Sequence, residues 1–211
     1  MQGSSGWASR VAERALGLRE RLGRTVSVGI SGVDCAGKST LAAAVELALR
    51  ERDVPALVIP GDEFTRPTAD RYRETDEALG YYRDSFDYGP LFEQILPAVR
   101  EGAPSELTVN VSDWERDGWR AERVALPEHG VVVVEGCFLF ADQRAHEFDL
   151  SVWIDLSLDD VVPRALSRPR DLERMGGPVG VRERYERRYV PGQQIHLARD
   201  EPAAHASLVL G

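Results

Sequence analysis

Cysteine is scarce in this chain: Cys35 and Cys137 are the only two among 211 residues. Two cysteines do not make a disulfide framework, so we expect a reduced, intracellular protein of the cytoplasm. Long apolar runs are missing as well, and none approaches the length that crosses a bilayer. The first residues, MQGSSGWASR, lack the basic start and the apolar core of a signal peptide. No membrane partner is therefore expected.

Positive charge is also in short supply. Lys and Arg number 26 against 35 Asp and Glu, which gives a formal net charge of -9. Broad binding to nucleic acid or to a membrane surface usually needs a basic face, so neither is expected. The net charge does not exclude small anionic ligands, because local dipoles and a few cations can hold them. The length suits a single domain, residues 1–211, with an insertion or a lid.

Short apolar runs alternate with helical segments along the chain. Strands are predicted at 25–31, 55–62, 106–113, 131–136, 150–157 and 207–210, and helices at 7–22 (within an N-terminal region 1–24), 38–53 and 90–102. This order predicts an α/β fold with a mostly parallel, doubly wound sheet and flanking helices. Ligands bind at the carboxyl ends of such strands. Cys35, Asp62, Glu135 and Asp155 are expected near those ends.

The segment GVDCAGKS, residues 32–39, fits the phosphate-loop pattern G-x-x-x-x-G-K-[ST] in full, between a predicted strand and a predicted helix. Backbone N–H groups of such a loop point at phosphate oxygens, and Gly32 and Gly37 avoid side-chain clashes. Lys38 supplies a cation for the outer phosphates, and Ser39 a hydroxyl that can ligate Mg²⁺. Three further loop residues are candidates for contacts with the nucleotide: Asp34, Ala36 and Thr40. The alternative is a strand-to-helix turn that matches the pattern by chance.

A phosphate loop predicts nucleotide binding and leaves the reaction open, because switches, motors and small-molecule kinases share it. The chain has no room for motor-type additions, and it shows no convincing Asn/Thr-Lys-x-Asp guanine-specificity pattern. Asp62 follows the second strand in GDEF and is expected near the γ-phosphate. A carboxylate there can position an attacking hydroxyl or take its proton. The alternative for Asp62 is an ordinary turn aspartate after Gly61.

Five stretches of the chain together resemble a known family. They are GISGVDCAGKST, GDEFTRP, YYRDSFDYGPLFEQIL, VVVVEGCFLF and RYVPGQQIHL. In this order they are similar to the uridine kinase-like family of P-loop small-molecule kinases, whose relatives include phosphoribulokinase and pantothenate kinase. The resemblance runs from about residue 25 to the end of the chain and implies a P-loop NTPase fold with an arginine-containing lid. It also implies ATP and Mg²⁺ as cofactors and a small-molecule acceptor.

The resemblance implies roles for particular residues. Asp62 would be the catalytic base, and Phe64 would line the acceptor pocket. Asp87, in SFDY, matches the acid that holds the sugar hydroxyls in nucleoside kinases. Glu135, in VVEG, would lie near Mg²⁺ or its waters. Two residues of the same stretches, Arg66 and Tyr82, are also expected at the acceptor.

The segment 164–188 is basic, with eight arginines against four acids. A basic island in an acidic protein suits a lid that closes on a transferring phosphate. Arg168 and Arg170 are the catalytic candidates in this lid, and Arg174 is expected at the nucleotide. Residues 182–188 are interpreted instead as part of an exposed helix with interleaved charges.

The stretch VNVSDWERDGWRAE departs from the family, whose members read the pyrimidine here with a Tyr-Asp pair and a later histidine. Asp113 matches the aspartate, and Ser112 replaces the tyrosine. Trp114 or Trp119 stands near the missing histidine. An indole can stack on a flat ring, but it lacks the donor and acceptor pattern of an imidazole. Ordinary packing of both tryptophans is the alternative.

These patterns predict an ATP-dependent kinase that phosphorylates a hydroxyl, in the first place the 5′-hydroxyl of a nucleoside such as uridine or cytidine. Three alternatives stay open. The acceptor could be another alcohol, a sugar or a nucleoside-like natural product, and the protein could be a nucleotide-binding switch. A nucleoside monophosphate kinase would need extra cations, for which Arg66 and Arg71 are the candidates near Asp62. GTP as donor and a homo-oligomeric state are also left open.

Overall fold

The computed structural model of the protein describes residues 2–102 and 106–211. Its seven described strands are β1 (Val26–Gly32), β2 (Ala56–Pro60), β3 (Glu106–Asp113), β4 (Gly118–Ala125), β5 (Val131–Gly136), β6 (Leu150–Ile154) and β7 (Leu208–Leu210). Five of them form one parallel sheet in the order β2-β5-β1-β6-β7. The predicted α/β fold with a mostly parallel sheet is thereby confirmed.

Helices cover the sheet. They are α1 (Gln2–Leu22), α2 (Lys38–Arg50), α3 (Thr68–Arg71), α4 (Glu77–Asp84), α5 (Leu96–Glu101), α6 (Leu158–Leu166), α7 (Pro169–Arg174), α8 (Pro178–Arg184), α9 (Val190–Asp200) and α10 (Pro202–His205). Short 3-10 segments span Gly61–Phe64 and Ala141–Glu147, and π-helical turns span Leu91–Ile95 and Tyr185–Tyr189. No helix in the described part of the chain combines the length and the apolar character that a membrane crossing requires.

The central strands are buried along their whole length because helices cover both faces of the sheet. Every residue of β1, β5 and β6 is buried, and Val28 of β1 pairs with Val133 on one side and Leu150 on the other. Continuous apolar strands such as VVVV in β5 are typical of this environment. The order of the strands places the carboxyl ends of β2, β5 and β1 side by side, and this edge carries the site described below.

The strand predicted at 106–113 does not join the parallel sheet. It pairs antiparallel with β4, so that Ser112 faces Trp119 across the pair, and the two form a separate hairpin. The connection from Asp113 to Gly118 is too short for the crossover that a parallel pairing requires. Asp113 accepts hydrogen bonds from the backbone N–H groups of Glu115 and Arg116 in this turn, at 3.1 and 3.0 Å.

A partly buried ion pair ties the amino end of β1 to the residue before β6. Both terminal nitrogens of the Arg24 guanidinium donate to Asp149, at 2.9 and 2.7 Å, and the backbone N–H of Ser27 donates to the same carboxylate at 2.8 Å. Burial alone raises the pKa of Asp149, but the hydrogen bonds from Arg24 and Ser27 outweigh it and leave that pKa below its usual value. The ionised carboxylate therefore stabilises the fold.

Candidate active site

The phosphate loop connects β1 to α2 in a conformation that its glycines permit. Gly37 has a φ of 97°, in the left-handed region that favours glycine, and it immediately precedes α2. Gly32 has no room for a side chain, because an added Cβ would lie 2.8 Å from the carbonyl oxygen of Ile154. The loop therefore presents its backbone N–H groups at the start of a 13-residue helix, which is an arrangement that binds phosphate.

Lys38 lies buried at the loop with its ammonium group held by backbone carbonyls. Nζ donates to Gly32 at 3.1 Å and to Val33 at 2.9 Å. Burial lowers the pKa of Lys38, but nearby acidic groups outweigh it, so that the pKa lies above its usual value. Cys137, whose own thiol pKa is raised by burial, is the largest of these influences on Lys38, followed by Asp34 and Glu135.

Ser39 and Glu135 form the oxygen-rich side of the same cavity. Ser39 Oγ donates to Glu135 Oε1 at 2.8 Å. No group of three His, Cys, Asp or Glu side chains gathers as a metal cage in the described residues. A hydroxyl and one carboxylate beside a phosphate loop nevertheless fit Mg²⁺, which binds few protein oxygens and takes its other ligands from phosphates and water. Ser39 and Glu135 are therefore the residues that would hold Mg²⁺.

Asp62 lies on the 3-10 turn that follows β2. Because β2 pairs directly with β5, this turn lies beside the end of β5, where Glu135 is found. The two chains approach closely: a Cβ on Gly61 would lie 2.8 Å from the carbonyl oxygen of Glu135 and 2.9 Å from the Cα of Gly136. Asp62 is exposed and lines the cavity of the phosphate loop.

Two adjoining cavities meet at Asp62. The first, which we call the donor cavity, has a volume of about 370 Å³ and is lined by the phosphate loop, Ser39, Thr40 and Glu135. The second, the acceptor cavity, has a volume of about 130 Å³ and is lined by aromatic rings and arginines. Five residues line both: Asp34, Asp62, Cys137, Arg168 and Arg170. Asp62 is thus accessible from both sides.

Asp34 connects the phosphate loop to the helices around the acceptor cavity. Its carboxylate accepts hydrogen bonds from Tyr81 of α4 at 3.0 and 2.9 Å, from Gln193 of α9 at 3.2 Å and from the thiol of Cys137 at 3.1 Å. A second predicted nucleotide contact, Ala36, is buried at the loop, where its N–H donates to Val33. The loop is therefore fixed from the acceptor side by side chains as well as by its own backbone.

The three predicted lid arginines lie at the two cavities. Arg168 and Arg170 line both, whereas Arg174 lines the acceptor cavity. The buried carboxylate of Asp171 lies 3.3 Å from Arg168 and 3.7 Å from Arg170. Arg168 also donates to Cys35 Sγ at 3.3 Å, which places the start of α7 directly against the phosphate loop.

Several predicted acceptor residues lie apart from Asp62. Arg66, Tyr82 and Asp87 line a different cavity of about 440 Å³, in which Arg66 lies 3.6 Å from the Asp87 carboxylate. Tyr82 donates its hydroxyl to Asp200 at 2.7 Å. Phe64 is fully buried in the core and lines none of these cavities.

The hairpin brings one of its three predicted residues to the acceptor cavity. Trp114 lines it, whereas Trp119 projects from β4 with 38% of its surface exposed and Asp113 caps the turn. Ser112 Oγ donates to the carbonyl of Thr65 at 2.6 Å, so the hydroxyl that replaces the tyrosine of the family holds the hairpin to the chain after Asp62.

The structure adds acceptor-cavity residues that the motifs did not single out for this site. They are Tyr72, Tyr81, Tyr185, Arg188 and Tyr189, together with Arg71, which was considered only for a monophosphate acceptor. Arg188 corrects the interpretation of 182–188 as exposed, because only 2% of its surface is accessible. The sequence did contain a signal for Arg188 at this site: the stretch RYVPGQQIHL, which resembles the family, begins with Arg188 and contains Gln193.

Comparisons with known proteins agree with this geometry. A uridine kinase from Cronobacter sakazakii is 27% identical over 155 residues, which are 72% of this chain and 71% of that enzyme. A possible uridine kinase from Bacillus stearothermophilus has the same fold, with a TM-score of 0.69 and 22% identity over 96% of this chain and 100% of that one.

A protein from a Silicibacter species, described as a candidate fructose transport system kinase, gives a TM-score of 0.74 at 20% identity over 97% and 98% of the two chains. No family model matches the sequence. The resemblance to uridine kinase-like P-loop kinases that the motifs predict is nevertheless confirmed: the chain has the fold of these kinases and is related in sequence to the uridine kinases.

Proposed function

We propose that the protein transfers the γ-phosphoryl group of ATP, in the presence of Mg²⁺, to a hydroxyl group of a small molecule. The observation that carries this proposal is the position of Asp62, which lines both the donor cavity and the acceptor cavity. A switch protein needs no second cavity beside its phosphate loop. A kinase needs one, with a carboxylate between the donor phosphate and the acceptor hydroxyl.

Each residue at the junction has a role in this reaction. The phosphate loop and Lys38 bind the phosphates of the donor, and Asp62 orients the acceptor hydroxyl and accepts its proton as the new bond to the γ-phosphorus forms. The bond from that phosphorus to the bridging oxygen breaks, and ADP leaves. Mg²⁺, held by Ser39 and Glu135, would supply charge neutralisation at the phosphates when bound.

Arg168 and Arg170 lie where the two cavities join, which suits stabilisation of charge on the transferring group. We propose that the segment carrying them is the lid expected from the sequence. Closure of such a segment would also exclude water, which would otherwise hydrolyse ATP.

The acceptor that we propose first is a nucleoside, in agreement with the names of the related uridine kinases. Tyr72 and Trp114 support a ring-bearing acceptor, because both aromatic side chains line the acceptor cavity. A sugar or another small alcohol is the second candidate. It is favoured by the volume of about 130 Å³ and by the position of Asp87, which lines a different cavity from Asp62.

Acceptor-dependent ADP release tests the proposal. The protein is incubated with Mg-ATP and, in turn, nucleosides, sugars, small hydroxy acids and nucleoside monophosphates. We expect at least one acceptor to raise ADP release well above the background hydrolysis, with the phosphorylated product identified by mass. Release that no acceptor raises would favour the nucleotide-binding switch and overturn the kinase assignment.

A further inference from the structure

The acceptor cavity carries more positive than negative charge. Five arginines line it (Arg71, Arg168, Arg170, Arg174 and Arg188), against three aspartates (Asp34, Asp62 and Asp171). Asp171 pairs with Arg168 and Arg170, the two arginines that also line the donor cavity. The excess of positive charge therefore lies on the side of the cavity away from the phosphate loop.

Arg188 is a buried cation that forms no ion pair among the described residues, although Glu74, Glu77 and Glu183 line a neighbouring cavity with it. Its guanidinium donates to the backbone carbonyls of Glu77 at 3.2 Å and Arg71 at 2.9 Å, and lies 4.3 Å from the centre of the Tyr72 ring. Throughout the described residues, no carboxylate oxygen lies within 4.0 Å of it, and the carboxylate of Glu77 pairs instead with Arg187. Carbonyl groups satisfy N–H donors but do not cancel the charge, and a buried charge without a counter-ion is costly.

Arg71 brings a second cation to the same place. Its Nε is buried without a hydrogen-bond partner among the described residues, and its guanidinium lies 5.7 Å from the ring of Tyr72 and 5.9 Å from that of Trp114. Hydrogen bonds from Thr68, and more weakly the charge of Arg71, lower the pKa of Asp117, but that carboxylate is exposed. Arg71 and Arg188 thus both lie at the ring of Tyr72, and neither forms an ion pair among the described residues.

We propose that the acceptor carries an anionic group, a phosphate ester or a carboxylate, which Arg71 and Arg188 bind while Asp62 positions the hydroxyl. This inference rests on the proposed function and narrows its substrate class. An anion that contacts both guanidinium groups would supply their counter-charge, and arginine forms strong paired hydrogen bonds with both kinds of group. The inference concerns the negative charge of the acceptor, and it applies to a nucleoside and to a simple sugar alike.

Matched acceptors that differ in one anionic group test this inference. Glycerol is compared with glycerate and glycerol 3-phosphate, ribose with ribose 5-phosphate, and uridine with its 6-carboxyl derivative, which keeps the 5′-hydroxyl. For at least one set, we expect kcat/KM for the charged member to exceed that for the neutral member by about 10- to 100-fold, the range for charge-assisted hydrogen bonds. Comparison of the carboxylate-bearing acceptors with the phosphate-bearing ones shows which of the two anionic groups the site binds.

Three variants locate the effect. In Arg188→Gln and in Arg71→Gln, the preference for the charged member should shrink to within about threefold. Arg187→Gln is the matched control, because Arg187 is the adjacent arginine, pairs with Glu77 and lies outside the acceptor cavity. If Arg188→Gln fails to fold, Arg71→Gln carries the test, because Arg71 is only partly buried.

The results separate this inference from the proposed function. Equal turnover of neutral and charged members, or a preference that survives in both variants, overturns the inference and leaves the kinase assignment intact. If no acceptor supports ADP release, the proposed function fails, and calorimetry decides on the anion site. The wild-type protein saturated with Mg²⁺ and a non-hydrolysable ATP analogue is then titrated with glycerol 3-phosphate. Binding that Arg188→Gln and Arg71→Gln abolish supports the site, and no binding overturns it.

Discussion

Replacement of Asp62 by Asn removes one charge at the junction of the two cavities and changes little else. The carboxylate is exposed, and it makes no hydrogen bond or ion pair within the part of the chain that the structure describes. The backbone carbonyl of Asp62 lies 3.4 Å from the hydroxyl of Ser112, which donates to the carbonyl of Thr65, so this contact does not involve the carboxylate. The free energy of unfolding should therefore change by less than about 0.5 kcal/mol, as is usual at such surface positions.

The effect of Asp62→Asn on catalysis should be far larger. A carboxylate that accepts the proton of the attacking hydroxyl contributes about 100- to 10,000-fold to the rate. This range corresponds to about 2.7 to 5.4 kcal/mol in the activation barrier. Because Lys38, Ser39 and the phosphate loop remain intact, the affinity for ATP should be nearly unchanged.

The assay compares kcat for ADP release at saturating acceptor, the dissociation constant for ATP and the urea midpoint of unfolding. Glu63→Gln is the control: Glu63 is the next residue on the same turn, lies 3.6 Å from Arg120 and lines neither the donor nor the acceptor cavity. Turnover by Asp62→Asn within about tenfold of the wild type, or an equal loss in Glu63→Gln, would refute the role of Asp62.

Three further substitutions test the site and its support. Burial and Asp62 raise the pKa of Glu135 more than Ser39 and Lys38 lower it, so its ionisation opposes folding as the pH rises through that pKa. Glu135→Gln should therefore lose Mg²⁺-dependent turnover. Its free energy of unfolding at pH 7 should equal or exceed that of the wild type, and this gain should vanish near pH 4. A free energy of unfolding below that of the wild type at pH 7 would contradict the raised pKa. Asp149→Asn should destabilise the protein by about 2 to 4 kcal/mol at pH 7 in urea titrations, against less than 1 kcal/mol for the exposed pair broken by Glu46→Gln. That loss is full above about pH 4 and fades as the pH falls through the lowered pKa of Asp149, and a loss independent of pH argues against the ion pair. Gly61→Ala should impair turnover and stability together, because its Cβ would meet backbone at 2.8 Å. Gly17→Ala is the control: it has open space around it in α1 and should stabilise the protein by up to about 1 kcal/mol. Equal thermal midpoints for the two variants would show that the contact at Gly61 is tolerated.

The donor half of the site was predictable because its signals are local. The phosphate loop is a contiguous motif between a strand and a helix, and Asp62 and Glu135 each follow or close an apolar run. In a parallel sheet, such strand ends meet at one edge. The structure places Lys38, Ser39, Asp62 and Glu135 around one cavity by this rule.

The acceptor half depends on contacts between distant parts of the chain, which no local pattern contains. The Arg188 guanidinium is buried by the backbone of residues 71 and 77 and by the ring of Tyr72, more than 100 residues earlier. Its neighbours in sequence are charged at helical spacing, and that pattern indicates an exposed surface. The hairpin was missed for a related reason, because an alternating strand does not reveal its partner.

The pairing of the arginines with acids divides the acceptor cavity into two functional parts. Asp171 partly neutralises Arg168 and Arg170, which lie where the donor phosphates would bring negative charge that Lys38 and Mg²⁺ also balance. Further unpaired cations at that place would add little to the binding of the donor phosphates. Arg71 and Arg188 lie away from the phosphate loop, where no donor phosphate is expected, and yet they lack acidic partners among the described residues. In a chain with a net charge of -9, acids are plentiful enough to neutralise both. The lack of ion pairs at these two arginines is the observation on which the proposed anionic acceptor rests.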